Sequence, residues 1–250
     1  MGTLLYNAHA HLPDCKSQEL EPLNSPVTLA DFSDQSYSII NSTSSTDWSA
    51  VLRLAQSHRI IAAIGLHPQN VNTAPTDWKN TFSQLLKDNP KCFVGEIGLD
   101  RRYQNDQFES QMDAFLWQLK IAREQNRPVS IHCVKAIGML VEALRSFVLP
   151  PRGVHLHAYS GPAELISELV KRGAYFSFSA TQLSSQNKKV RDRICAVPID
   201  RLLIETDTSH EEDASRLLDC YVTIAGIREI HFDKLTASIE ENFKRYFLTC

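Results

Sequence analysis

Short apolar stretches alternate with amphipathic ones along this chain, and each pair recurs roughly every 30 residues, as successive strand and helix units require. Strands are predicted at Leu4–Tyr6 running on to His11, Tyr37–Ile40, Ile60–Gly65, Cys92–Val94 running into Glu96, Pro128–His132, Val154–His157, Ala174–Ser179 and Leu202–Asp207. Parallel strands need crossovers, and the helices that supply them must cover the sheet. Eight such units predict an α/β fold, a (β/α)8 TIM-type barrel, regular or distorted. Helices are predicted at Asp47–Ser57, Asp77–Asp88, Asp106–Gln125, Ile137–Phe147, Pro162–Arg172, Gln186–Cys195, Asp213–Glu229 and Ser238–Leu248. Residues 12–35, with Pro13, Pro22 and Pro26, read as a long connection with little regular structure. With 250 residues and 43% hydrophobic content, the chain suits a single domain, residues 1–250, with a full core.

Chemistry gathers where these strands end. His9 and His11 must share one side of the first strand, because strand side chains alternate with period two. Glu96, His132, His157 and Asp207 close four further strands, which brings six ligand-type residues to the C-terminal rim, where barrel active sites are assembled. Glu96 stands between Gly95 and Gly98 in apolar sequence, and a carboxylate placed there needs a cation. Four imidazoles and two carboxylates match one or two divalent metal ions, with a carboxylate able to bridge a pair. Zinc, magnesium, manganese, nickel and iron all stay open, with imidazole favouring a transition metal over magnesium. Such an ion lowers the pKa of bound water towards ~7, which is the chemistry of hydrolysis. His58 and His231 lie off the rim and read as ordinary surface or core residues. His155 faces the same way as His157 but lies deeper, as a hydrogen-bonded core histidine, and Glu205 supports the ligands instead of joining them.

A net charge of −3 gives no global field for polyanions, so a nucleic-acid role must rest on a local site. His67, Arg101, Arg102 and Lys135 can bind phosphate there, and Tyr103 or Tyr159 can stack a base. The six cysteines show no C-x-x-C spacing and read as reduced thiols. No basic region followed by an apolar run opens the chain, Tyr6 breaks a myristoylation pattern, and no window approaches 18 apolar residues. A soluble cytoplasmic protein is expected, with no membrane association and no obligatory protein partner.

His9-Ala10-His11, Gly65-Leu66-His67-Pro68, Gly95-Glu96-Ile97-Gly98-Leu99-Asp100, His132 after Pro128, His157-Ala158-Tyr159-Ser160-Gly161, Glu205-Thr206-Asp207 and Asn242-Phe243-Lys244-Arg245 follow a familiar order. By these motifs the chain resembles the TatD family of metal-dependent hydrolases over nearly its whole length. The resemblance implies an amidohydrolase-like barrel, with many relatives described as deoxyribonucleases. It also implies that His9, His11, Glu96 and Asp207 hold one metal, that Glu96 bridges, that His132 and His157 hold the second, and that Asp207 is the general base. The chain departs from the family at Asn7, where Asp is usual, at Arg101 and Arg102, commonly Tyr or Phe, at Tyr159, usually Phe, and at Ser209, usually Pro. The expected activity is hydrolysis of DNA phosphodiester bonds, at single-stranded ends. The alternative is a small-molecule amidohydrolase, esterase or lactonase on the same metal site, and an inactive scaffold is disfavoured because all six ligand positions are intact.

Overall fold

Seven strands lie side by side in chain order and pair in parallel throughout: β1 (Leu5–Ala10), β2 (Ser36–Asn41), β3 (Ile60–Ile64), β4 (Phe93–Asp100), β5 (Val129–Val134), β6 (Val154–Leu156) and β7 (Ala174–Phe176). They are seen in a computed structural model that describes residues 4–12, 36–55, 59–103, 108–185, 187–208 and 213–248. The predicted connection after Leu12, His58, Asp106, Gln186, Ser209 and the cysteines Cys15 and Cys250 lie outside the described residues. The helices are α1 (Trp48–Leu54), α2 (Trp78–Asp88), α3 (Phe108–Glu124), α4 (Ile137–Ser146), α5 (Ile166–Lys171), α6 (Ala180–Ser184), α7 (Lys188–Ala196), α8 (Asp213–Arg228) and α9 (Phe232–Phe243). The fold is a (β/α)8 TIM-type barrel in which the eighth strand position is irregular.

That position is the main departure from the expected strands. Residues 202–208 make only an isolated bridge, Leu202 to Phe176, instead of a ladder. They still join the two ends of the sheet: Leu203 N donates to Phe176 O on one side, while Ala8 N donates to Ile204 O and Asp207 N to His9 O on the other. The ladder fails here because a side chain takes a backbone partner, Asn7 Oδ1 accepting the Thr206 N–H at 3.0 Å. Asn7 Nδ2 donates in turn to Thr206 Oγ1 at 2.9 Å, so the amide staples both strands. Asn242 on α9 holds the segment from outside, donating to Ile199 O and Leu202 O.

Other differences are local. β4 runs past Glu96 to Asp100, because the pairing with β5 shifts register between Val94 and Ile97 and then resumes. Gly98 permits this approach: its φ is +149°, and a Cβ there would come within 2.0 Å of the His132 carbonyl oxygen. The polar stretch after β7 forms α6 through a capping box, Ser179 and Gln182 each satisfying the other's backbone N–H. α9 begins at Phe232 and not at Ser238, since His231 caps it by accepting from Asp233 N, and a π-helical turn, Lys244–Leu248, follows it.

The outer layer shows why the rim is held firmly. α2 turns Phe82 and Leu86 fully into the core, each contributing about 1.5–3 kcal/mol by burial. α3 does the same with Phe115 and Leu119, but two residues seven apart on its buried side, Gln111 and Gln118, are polar. Gln111 accepts from Asp100 N and donates to Asp100 O, and Gln118 accepts from Leu66 N and donates to Leu66 O. One helix thereby fixes the backbone at two strand ends. No helix among the described residues is long and apolar enough to cross a membrane.

Candidate metal centre

Period-two alternation along β1 does bring His9 and His11 together, their Nε2 atoms 3.1 Å apart. Glu96, 2% exposed, lies at the centre of the rim. Its Oε1 is 2.5 Å from His132 Nδ1 and 2.7 Å from His157 Nε2, and its Oε2 is 3.3 Å from His11 Nε2 and 3.5 Å from His9 Nε2. Asp207 stands on the open side, Oδ1 3.6 Å from His11 Nε2 and 4.0 Å from His9 Nε2, with its side chain 29% exposed. The structure thus brings all six expected ligand positions to one point. Lys135, Ala158 and Asp207 adopt left-handed φ of +53°, +42° and +54° at or just beyond these strand ends, a conformation that non-glycine residues hold only where surrounding structure imposes it.

The far side of each ring is tied down. His11 Nδ1 lies 3.0 Å from Asn41 O, and His132 Nε2 lies 2.9 Å from an Asp100 carboxylate oxygen. A carbonyl and a carboxylate accept only, so those two nitrogens carry the protons and the lone pairs of His11 Nε2 and His132 Nδ1 face Glu96. His9 Nδ1 meets Ser130 Oγ at 2.9 Å, and His157 Nδ1 is 3.5 Å from Glu205 Oε1, an ion-pair distance and not a hydrogen bond. Two lone pairs, those of His11 Nε2 and His132 Nδ1, therefore face a carboxylate, an arrangement that added protons or bound cations reconcile, and a mixed set of imidazole and carboxylate donors fits divalent metal. Electrostatics agrees. Burial works to raise the Glu96 carboxyl, yet His157, His67 and His132 hold it well below the usual range. Burial works to lower His157, yet Glu96 and Glu205 hold it well above its ordinary value. His9, fully buried and flanked by His157, is lowered to about 3.

His67 also reaches the centre, Nε2 3.7 Å from Glu96 Oε1, but its chemistry differs. Its Nδ1 accepts the Gln69 backbone N–H at 3.1 Å as the cap of the 3-10 turn Pro68–Thr73. The proton of the neutral ring then sits on Nε2, so His67 presents a hydrogen-bond donor where its neighbours present lone pairs. Burial and the surrounding imidazoles lower it to about 4, which keeps it neutral.

The remaining expected residues are distributed unevenly. Lys135 is exposed at the rim. Arg101 is exposed as well, over the Phe108 ring and bonded to Met139 Sδ. Arg102 is engaged by Asp100, and Tyr159 is buried against Phe176 with its hydroxyl donating to Pro162 O. Tyr103 approaches His67 edge-on and bonds Gln69. Asp100, the partner of His132, carries no ligand signal of its own in the sequence, although period two from Glu96 through Gly98 puts it on the same face. The hydroxyls of Ser130 and Ser177 likewise give no sequence signal.

Below the rim, His155 is fully buried, with Nε2 2.6 Å from Ser177 Oγ and Nδ1 3.4 Å from Ser130 Oγ. Ser177 Oγ also donates to Glu205 Oε2 at 2.5 Å. His155→Ala is expected to cost on the order of 1–4 kcal/mol in thermal melts, through a cavity and unmet hydroxyls, while metal bound per folded molecule stays unchanged. A variant that melts with wild type but binds less metal would place His155 in the centre itself.

The sequence profile of the TatD related DNase family matches residues 7–248. The chain is 30% identical over 197 residues to the uncharacterized metal-dependent hydrolase YabD of Bacillus subtilis (strain 168), covering 75% of this chain and 77% of that one. It is 26% identical over 196 residues to a 3'-5' ssDNA/RNA exonuclease TatD of Citrobacter koseri, covering 78% and 75%. Among solved structures, YjjV, a TatD homologue from Escherichia coli K12, superposes with a TM-score of 0.75 at 27% identity, over 85% of this chain and 86% of that one.

Proposed function

Because this chain belongs to the TatD related DNase family and is a metal-dependent hydrolase, we propose that it hydrolyses phosphodiester bonds of DNA, taking single-stranded ends. The observation that carries this reading is the pairing of a cation-demanding cluster around Glu96 with one neutral donor, His67 Nε2–H, beside it. The nuclease name of the Citrobacter koseri relative supports the substrate class.

His9, His11, Glu96 and Asp207 would hold one divalent ion and His132 and His157 a second, with Glu96 shared. Bound there, the ion supplies Lewis acidity and an acidified water. The mixed donor set suits zinc, iron, nickel or manganese above magnesium. Asp207, the more solvent-reaching of the two central carboxylates, takes the proton of the attacking water at its carboxylate. His11, with His157 and His9, keeps that carboxyl below its usual range against burial, so the base is ionised at neutral pH. His67 Nε2–H donates to a non-bridging phosphate oxygen. Lys135 and Arg101, both exposed, receive the phosphates that follow, and Tyr103 offers a face for a base. Arg102 and Tyr159 would contribute through the parts of the rim they hold. We read residues 1–250 as one working domain in the cytoplasm, a reading supported by the four described cysteines, Cys92, Cys133, Cys195 and Cys220, all being free thiols.

The test is turnover of a labelled single-stranded oligonucleotide beside blunt duplex and a panel of esters, lactones and amides, before and after chelation. Single strands are expected to be cut faster than duplex, and chelation to abolish cutting without unfolding the protein. Undiminished cutting by protein shown metal-free by elemental analysis, or turnover confined to the small-molecule panel, would sink the proposal.

A further inference from the structure

Arg102 stands where its position on the rim suggests a phosphate contact, yet its guanidinium is turned back onto the protein. Nη2 lies 2.5 Å and Nε 3.0 Å from Asp100 Oδ2, and Nε is 3.1 Å from Oδ1. The Arg102 backbone N–H adds a bond to Oδ1 at 2.8 Å, closing an Asx turn. Asp100 is fully buried, while the Arg102 side chain is 49% exposed. The same Oδ2 that meets the guanidinium is the one 2.9 Å from His132 Nε2. Gln111 holds the Asp100 backbone from the other side, leaving the carboxylate's rotation as its remaining freedom.

We infer that Arg102 is a positioning residue for the metal centre, acting through Asp100 to fix the ring of His132 with Nδ1 towards Glu96. The inference rests on the metal-centre reading above. A carboxylate gripped by a planar fork keeps one plane, and so keeps one oxygen under His132 Nε2. Without the guanidinium the Arg102 backbone N–H still holds Oδ1, but Oδ2 loses its second partner and can swing about that bond, and the imidazole can turn with it so that Nδ1 no longer bears on Glu96. A substrate role would make the opposite demand, turning the fork formed by Nε and Nη2 outward to phosphate, whereas here that fork faces Asp100.

Metal-stripped protein titrated with zinc against a chromophoric chelator separates the cases. Wild type is expected to bind zinc, and Asp100→Asn to weaken one binding event by the ~10–100-fold typical when the partner of a ligating imidazole is lost. Arg102→Gln is expected to weaken the same event by roughly tenfold, and Arg102→Lys by less, since it keeps charge but loses the fork. The stripped variants should stay folded with a lowered melting temperature, since each disturbs a buried carboxylate, so zinc affinity is compared per folded molecule. In a His132→Ala background, Arg102→Gln should change zinc affinity no further, as coupled residues require. Equal zinc affinity in wild type and Arg102→Gln overturns the inference, and a raised KM for oligonucleotide beside that equal affinity would make Arg102 a substrate contact. An undiminished Arg102→Gln effect in the His132→Ala background also overturns it, by showing that the charge acts at a distance. Failure of wild type itself to bind zinc or any other divalent ion defeats the metal-centre reading, and this inference with it.

Discussion

Glu96→Gln is expected to lower kcat/KM on an oligonucleotide by roughly 10³-fold or more, because several kcal/mol of charge stabilisation disappear with one oxygen and each 1.36 kcal/mol is a factor of ten. The carboxylate touches ring nitrogens of His132, His157, His11 and His9 between 2.5 and 3.5 Å, so both of the metal positions proposed above would draw on it. An amide of the same shape supplies one neutral acceptor and one donor, and the donor points into lone pairs. Elemental analysis should therefore find the variant depleted in metal as well as slow. The fold should survive, since the large apolar cluster packed between strands and helices does not depend on Glu96. Retained metal together with a rate within tenfold of wild type would remove Glu96 from the centre of the mechanism.

Asp207→Asn should separate proton transfer from metal retention. The substitution keeps size and tolerates the left-handed φ of +54°, as asparagine commonly does, but it cannot take a proton. A kcat loss of ~10²–10⁴-fold is expected, the range for a general base, with little change in melting temperature. The contrast with Glu96→Gln lies in the metal: Asp207 is 3.6 Å or more from its nearest imidazoles and partly open to solvent, so depletion should be milder. If Asp207→Asn turns over within a few-fold of wild type, another group serves as base.

The sequence carried the rim well because strand ends announce themselves. Apolar runs that lead into His132, His157 or Glu96 leave little choice about which way those side chains face, although β4 and β5 continue to Asp100 and Val134, and period two forced His9 and His11 together. Where it fell short, side chains had replaced backbone. Leu202–Asp207 reads as a strand, yet Asn7 accepts the Thr206 N–H that a neighbouring strand would have taken. Gln111 and Gln118 sit in a helix whose apolar spacing was plain, but nothing local reveals that their amides hold the backbone at strand ends 11 and 52 positions away. The place of Arg102 on the rim points to phosphate, and place does not disclose that Asp100 engages its guanidinium. His231 was set aside as an ordinary residue although it starts α9, since a histidine cap has no periodic signature.

The irregular eighth position has a bearing on biosynthesis. His9 and His11 belong to the first strand of the sheet, whereas Asp207 and the Asn7–Thr206 staple, spanning 199 positions, can form only after all seven regular strands have been translated. Until then the two ends of the sheet have nothing to join them, and Asp207 cannot stand beside the histidines. Joining the seam thus depends on contacts of very long sequence separation, so closure of the barrel is expected to come late in folding, after the local strand and helix units have formed.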